Sequence, residues 1–215
     1  KKQNCVSIEA LAIFARLEKL LPVMNQVYDV AYRKEIKGEK VPNREKVFSI
    51  YEPHTDIIVK GGRKPAFGHK ISLATGKSNL VLDCQVLKGN PADKTLYGPT
   101  LDRVIDTYGK VPRDTIDDGG YANIKNMEYA KSKGVVNVVF NKIVGSLKNQ
   151  VSSLIMETRL KKWRSGIEAN ISNIKRGFNL KRCNWKGWAN FQAKVLWSII
   201  AYNIRVMTGL IVARL

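Results

Sequence analysis

The chain has 215 residues, 37 of them Lys or Arg and 18 Asp or Glu, which gives a formal net charge of +19. With 44% hydrophobic residues it carries enough apolar material to bury a core, which excludes wholesale disorder. Cys5, Cys84 and Cys183 are far apart and form no Cys-x-x-Cys pair, so neither a disulfide framework nor a zinc knuckle is signalled; the apolar stretch 193–215 is broken by Lys194, Asn203, Arg205 and Arg214, and no membrane span is expected.

The sequence shows neither an initiator Met nor a secretory pattern and reads as starting within a longer protein. Residues 8–34 are helical in period, with Leu11, Phe14, Leu17, Leu20 and Leu21 at three- and four-residue spacings. Pro22 is expected to interrupt this helix, giving a helical hairpin or kinked arm. Residues 37–45, with Gly38, Pro42 and Asn43, predict a polar linker. The period then changes to two: 47–51 and 57–60 are short strands, 61–65 a basic turn with Arg63 and Lys64, and 69–75 and 80–87 a β-hairpin around Gly76-Lys77-Ser78-Asn79. Helices follow over 96–108, ending at Gly109, and over 124–133, closed by Gly134. Strands are expected at 115–117 and 135–140, the second apolar enough to be buried in a parallel sheet. A long helix spans 152–174, and a last one spans 188–214 with an apolar face from Phe191, Val195, Ile199, Tyr202 and Val206. Antiparallel strands followed by strands alternating with helices make this an α/β chain, and the order suits an RNase H-like mixed sheet with flanking helices, preceded by a helical arm.

A positive excess of this size points to a polyphosphate partner, because clustered cations gain affinity by releasing condensed counterions. Residues 159–186 hold Arg159, Lys161, Lys162, Arg164, Lys175, Arg176, Lys181, Arg182 and Lys186 against the single acid Glu168. Trp163, Trp185 and Trp188 are interleaved with these charges and can stack on bases. The plainer alternative is a solvated basic face of a structural or ribosome-associated protein.

Two features could carry chemistry. Asp117-Asp118-Gly119-Gly120-Tyr121 follows a predicted strand at the edge where open α/β sheets place ligands. Arg164, Glu168 and Lys175 are spaced by four and seven residues and so share one helix face. Read plainly, the first is a turn or helix-capping aspartate and the second an ordinary helix ion pair. Read together, they are carboxylates from a strand end and a distant helix, the hard oxygen donors that suit Mg²⁺ or Mn²⁺ in phosphoryl transfer. His54 and His69 are the only histidines and read as structural.

These residues resemble the DDE transposases of bacterial insertion sequences, in the clade whose third acid lies in a Tyr-x2-Arg-x3-Glu-x6-Lys signature, especially the ISNCY grouping. Arg164-x3-Glu168-x6-Lys175 fits that spacing, and Asp118-Gly119-Gly120-Tyr121 resembles the second acid's Asp-x-Gly-Tyr setting. Phe67-Gly68-His69-Lys70, Gly89-Asn90-Pro91-Ala92-Asp93 and Lys175-Arg176-Gly177-Phe178 match as well. Lys161 stands where the signature has tyrosine. The resemblance implies that Asp118 and Glu168 are catalytic and hold the metal, supported by Arg164, Lys175 and Tyr121. It implies DNA contacts from Lys161, Lys162, Trp163, Lys175, Arg176, Lys181, Arg182 and Trp185. The family's first aspartate has no counterpart before residue 37; it is expected upstream, with Asp56 as the fallback, so the chain as given is expected to bind DNA without cutting it. The implied partners are double-stranded transposon ends and target, with a homodimer when complete, in the bacterial cytoplasm on the nucleoid. The implied layout is an arm (1–36), a linker (37–45), an RNase H-like catalytic portion (46–187) and a C-terminal helix packing on it (188–215). A non-catalytic nucleic-acid-binding module and an RNase H-like nuclease remain the alternatives.

Overall fold

A computed structural model describes residues 7–59, 64–143 and 145–213. The chain divides into two compact units, one of residues 1–69 with 88–90 and one of residues 70–87 with 91–215.

The first unit begins with α1 (Ile8–Ala31), capped by Ser7, whose Oγ accepts from the Ala10 N–H at 3.1 Å. The helix runs through Pro22 rather than breaking there. A proline removes one backbone donor, and the turns on either side propagate the helix across that loss. None of its residues is buried, and Leu11, Phe14, Leu17, Leu21, Met24 and Tyr28 are all exposed. Beyond the helix, the Arg33 guanidinium meets Glu39 and Glu45 at 2.8 Å each and Asp29 at 3.4 Å. These carboxylates hold the arginine firmly charged and fold residues 39–45 back toward the end of α1, with Val41 buried. Strands β1 (Asp56–Ile58) and β2 (Ala66–Gly68) pair antiparallel, Ile57 opposite Phe67. Residues 47–51 form no strand: Phe48 packs on Phe67 and Ser49 Oγ accepts from the Glu52 N–H, so side-chain packing and a turn take the place of a ladder. Most of the expected basic turn at 61–65 lies outside the described residues.

The second unit opens with the hairpin of β3 (Ile71–Thr75) and β4 (Val81–Val86), Leu73 opposite Cys84. Asn79 takes a left-handed φ of 65° in its turn, a conformation asparagine tolerates. Then come α2 (Tyr97–Tyr108), ended by Gly109 at φ 63°, β5 (Asp114–Asp117), α3 (Ile124–Ser132) and β6 (Asn137–Phe140). Strands β5 and β6 pair in parallel, Ile116 opposite Val139, and every residue of β6 is buried, as its apolar run predicts. The long helix α4 (Leu154–Gly177) and the final α5 (Trp188–Val212) complete the unit.

The fold is mixed α/β, but among the described residues the strands form three separate pairs rather than one mixed sheet. The hairpin and the parallel pair are tied through α2 instead of a backbone ladder. Arg103 makes a bidentate contact to Asp83 of β4 at 3.1 and 2.7 Å, and the Tyr97 hydroxyl meets Thr115 Oγ1 of β5 at 2.9 Å. One core cluster gathers Tyr97, Leu101, Met127, Ala130, Val135, Val138 and Phe140. A second gathers Val81, Ile174, Ile199 and Tyr202 from β4, α4 and α5.

By length and composition α5 could cross a membrane, despite Lys194, Asn203 and Arg205. Its inner face instead packs on the domain through Val195, Ser198, Ile199 and Tyr202. Asn203 completes the attachment: its Oδ1 accepts from the Val81 N–H and its Nδ2 donates to the Val81 carbonyl, both at 2.9 Å. Asn203→Ala leaves both backbone groups unpaired, and urea denaturation followed by circular dichroism is expected to show a loss of about 1–3 kcal/mol.

Candidate functional site

The site lies within the second unit, where β5 ends. At Asp118 the chain enters a 3-10 turn over Gly119–Tyr121, and Asp118 Oδ1 accepts from the Gly119 N–H at 2.8 Å. That bond is the capping role the plainer reading allowed. The other oxygen, Oδ2, faces Arg164 Nη2 of α4 at 3.7 Å, and Arg164 Nη1 faces Glu168 Oε1 at 3.8 Å. Arg164 thus stands between the two acids at ion-pair range, longer than a hydrogen bond. Its side chain is only 14% exposed, against 56% for Asp118 and 75% for Glu168. Nη1 is buried without a hydrogen-bond partner among the described residues.

The turn is braced on several sides. A Cβ at Gly119 would lie 2.8 Å from the backbone carbonyl oxygen of Lys142, and one at Gly120 would lie 2.6 Å from Asp93 Oδ2. Asp93 is paired with Lys70, whose Nζ also donates to the Pro91 carbonyl at 2.7 Å. Asn126 Nδ2 reaches the carbonyls of both Tyr121 and Lys94 at 2.9 Å, clamping the turn to the segment that carries Asp93. Tyr121 packs against the first core cluster, and burial raises its pKa above the ordinary phenol value. Tyr121 therefore supports the site by anchoring its loop.

Asp117 was not singled out as a site residue from sequence. Desolvation pushes its carboxyl up to about 7, with the Arg164 cation acting in the opposite direction and the Asp118 charge adding to the rise. Asp93 and Asn126 were also missed as braces. The visible trace was the Gly-Gly pair after the acids, which marks a place where other groups approach the backbone closely.

The remaining predicted residues fall on the surface of α4 and beyond. Lys162, Trp163, Lys175, Arg176, Lys181, Arg182 and Trp185 are exposed. Among the described residues Lys175 is not drawn into an ion pair with either acid, although it shares α4 with Glu168. Lys161 is only partly exposed and pairs with Glu157 at 2.6 Å. The Trp185 ring carries Lys194 Nζ at 5.7 Å from its centroid.

Asp56, His54 and His69 belong to the first unit. Asp56 Oδ2 accepts from the Gly89 N–H at 2.8 Å and lies 3.0 Å from His69 Nδ1. His69 Nε2 is 2.8 Å from His54 Nδ1, and His54 Nε2 is 2.7 Å from Glu52 Oε2. The histidines thus sit in a chain of hydrogen bonds that ties this unit together. Desolvation lowers the His69 pKa, with the Asp56 carboxylate opposing it.

Among the described residues no group of three or more His, Cys, Asp or Glu is placed to hold a metal ion. Asp118 and Glu168 are hard oxygen donors of the right kind for Mg²⁺ or Mn²⁺, but two carboxylates are fewer than such a centre uses.

The sequence profile of the family described as "Transposase DDE domain" matches residues 46–204, the larger part of the chain. Neither the curated proteins nor the solved structures yield a match.

Two predictions follow from the crowding and the buried acid. Gly119→Ala is expected to cost about 1–3 kcal/mol by thermal denaturation, and more than Gly120→Ala, because a backbone carbonyl cannot move aside as the Asp93 carboxyl can. Asp117 has a raised folded-state pKa, so its ionisation favours unfolding: stability falls as pH rises from about 4 to about 7 and levels off above. Asp117→Asn removes that fall and, with chelator present, is expected to exceed the parent at pH 8 by about 2–4 kcal/mol, the difference closing toward pH 4.

Proposed function

This chain belongs to the family of transposase DDE domains, and from that premise we propose that it is the DNA-binding and partial catalytic portion of a bacterial insertion-sequence transposase of the ISNCY kind, with an RNase H-like catalytic core. The observation that carries this reading is the convergence of Asp118 and Glu168 on Arg164. Two acids from a strand end and a distant helix meet at a largely desolvated guanidinium at ion-pair range.

Asp118 and Glu168 would hold the divalent ion, Mg²⁺ or Mn²⁺, which when bound supplies Lewis-acid stabilisation of charge at phosphorus. Arg164 orients both acids, its planar guanidinium facing one carboxylate with each terminal nitrogen. Tyr121, Asn126 and Asp93 keep the Asp118 turn in place. Along and after α4 the exposed Lys162, Lys175, Arg176, Lys181 and Arg182, with Trp163 and Trp185, grip the DNA backbone at the transposon end. Lys161 contributes less, since Glu157 offsets its charge.

The third acid of the set comes, in this reading, from an upstream strand. Asp56 is the weaker source because its Oδ2 already serves His69 and the Gly89 N–H. The complete protein works on transposon ends and target DNA in the bacterial cytoplasm, on the nucleoid, and brings ends together as a homodimer.

Fluorescence anisotropy with duplex DNA over a salt series tests the binding half. The expected result is an affinity that falls steeply with salt and a shallower slope for the Arg176→Ala, Lys181→Ala, Arg182→Ala triple variant. Isothermal titration with Mn²⁺ tests the acids: weak binding is expected in the parent and loss in Asp118→Asn and in Glu168→Gln. Metal binding unchanged in both variants would instead assign the chain to a non-catalytic nucleic-acid-binding module. Robust Mg²⁺-dependent cleavage by these 215 residues would overturn the missing-acid reading.

A further inference from the structure

Arg164 and Glu168 belong to a longer stripe on α4. Glu157, Lys161, Arg164 and Glu168 are spaced by four, three and four residues and so share one face of the helix. Glu157 stands in the first turn, about 10 Å before Arg164 along the axis. Its Oε1 accepts from Lys161 Nζ at 2.6 Å and from Asn149 Nδ2 at 2.8 Å. These two donors hold Glu157 below the usual carboxylate range, so it stays an acceptor at neutral pH. Lys161 lies on the same helix and fixes nothing beyond it. Asn149 precedes the helix, and through it α4 is tied to the strands.

Asn149 is bound in turn to the end of β6. Its Oδ1 accepts from the Phe140 N–H at 2.8 Å, and its Nδ2 lies 3.4 Å from the Phe140 carbonyl oxygen. The next residue, Gln150, exchanges both backbone bonds with Val138, at 2.8 and 3.0 Å. Residues 149–150 therefore lie along the edge of β6 that β5 leaves free. Phe140 is also the residue opposite Asp117 in the parallel pair, and the Asn141 N–H donates to the Asp117 carbonyl at 2.9 Å. The contacts close a ring: Asp117 to Phe140, Phe140 to Asn149, Asn149 to Glu157, along α4 to Arg164, and across to Asp118. A slip of α4 by one residue would turn its face by about 100° and carry Arg164 away from Asp118. At 3.7 Å the Arg164–Asp118 contact is too long to set that register, whereas the Asn149–Glu157 bond is short and directional.

We propose that Glu157 and Asn149 are positioning residues of the Asp118–Arg164–Glu168 site, and that the hydrogen bond between them sets the rotation of α4 against the carboxyl edge of β5 and β6. Neither residue touches a ligand in this role; they act through Arg164. The proposal rests on the reading of Asp118 and Glu168 as metal-holding acids, but its first readout below needs no metal. The bond, rather than the charge, is what positions the helix, so an amide in place of the Glu157 carboxylate keeps the effect.

The first readout is the Arg164 Nε–H signal in ¹⁵N NMR spectra of the full chain, identified by its absence in Arg164→Lys. It is expected at a position distinct from free arginine in the parent and in Glu157→Gln, whose amide oxygen still accepts from Asn149. In Glu157→Ala and in Asn149→Ala it is expected to move to the free-arginine position. Glu157→Ala is the cleaner variant, since Asn149→Ala also strips the Phe140 N–H of its acceptor; its circular dichroism spectrum and melting temperature are expected to stay close to the parent's. The second readout is calorimetric titration with Mn²⁺, expected to weaken at least about 10-fold in Glu157→Ala and to stay within about 2-fold of the parent in Glu157→Gln. An Arg164 signal unmoved by Glu157→Ala overturns the proposal. So does a Glu157→Gln variant as impaired as Glu157→Ala, which would assign the effect to charge. A parent that binds no Mn²⁺ overturns the metal reading of the acids instead, and the Arg164 signal still decides the role of Glu157.

Discussion

A guanidinium taken out of water must be given anions, and Arg164 is supplied with them from two directions. Asp118 approaches from the end of β5 and Glu168 from one turn further along α4, while Asp117 sits close enough to feel the same cation. The cost of desolvating the arginine is offset only if β5 and α4 are held in register with each other. That register depends on the wholly buried β6, which pairs with β5 and packs beneath α4, so the core and the site are solved together. The braces around the turn refine the same arrangement, because the backbone at Gly119 and Gly120 runs too close to Lys142 and Asp93 to admit a Cβ.

The way the acids are used explains how a +19 chain presents its charge. Asp83 is tied to Arg103, Asp93 to Lys70, Asp102 to Lys133 and Glu157 to Lys161, and Asp118 and Glu168 share Arg164. A third of the carboxylates are thus engaged with cations of the second unit. Cations that form no such pair among the described residues accumulate on the later turns of α4 and the segment after it, where Trp185 is exposed. A basic surface of this kind favours a polyanion over a point charge, since each added phosphate contact releases further counterions.

Helices α1 and α5 show two ways of leaving apolar surface in water. In α1 nothing is buried, and the helix end is secured by charges around Arg33. In α5 one face is fixed to the hairpin by packing and by the paired bonds of Asn203, and the other keeps a regular row of large side chains exposed.

The sequence by itself determined what depends on near neighbours along the chain. The hairpin around Gly76-Lys77-Ser78-Asn79, the ends of α2 at Gly109 and of the Asp118 turn, the buried run of β6 and the shared face of Arg164 and Glu168 were all legible, since turn chemistry and helical period are local properties. The family motifs were legible for the same reason. Tertiary structure alone decided how the strands paired, and that α2 rather than a ladder joins the hairpin to the parallel pair. It also decided that Asp117 is desolvated and Asp118 is not, although the two are adjacent and chemically identical. Desolvation and strand pairing are set by groups far apart in the chain, and no reading of neighbouring residues contains them.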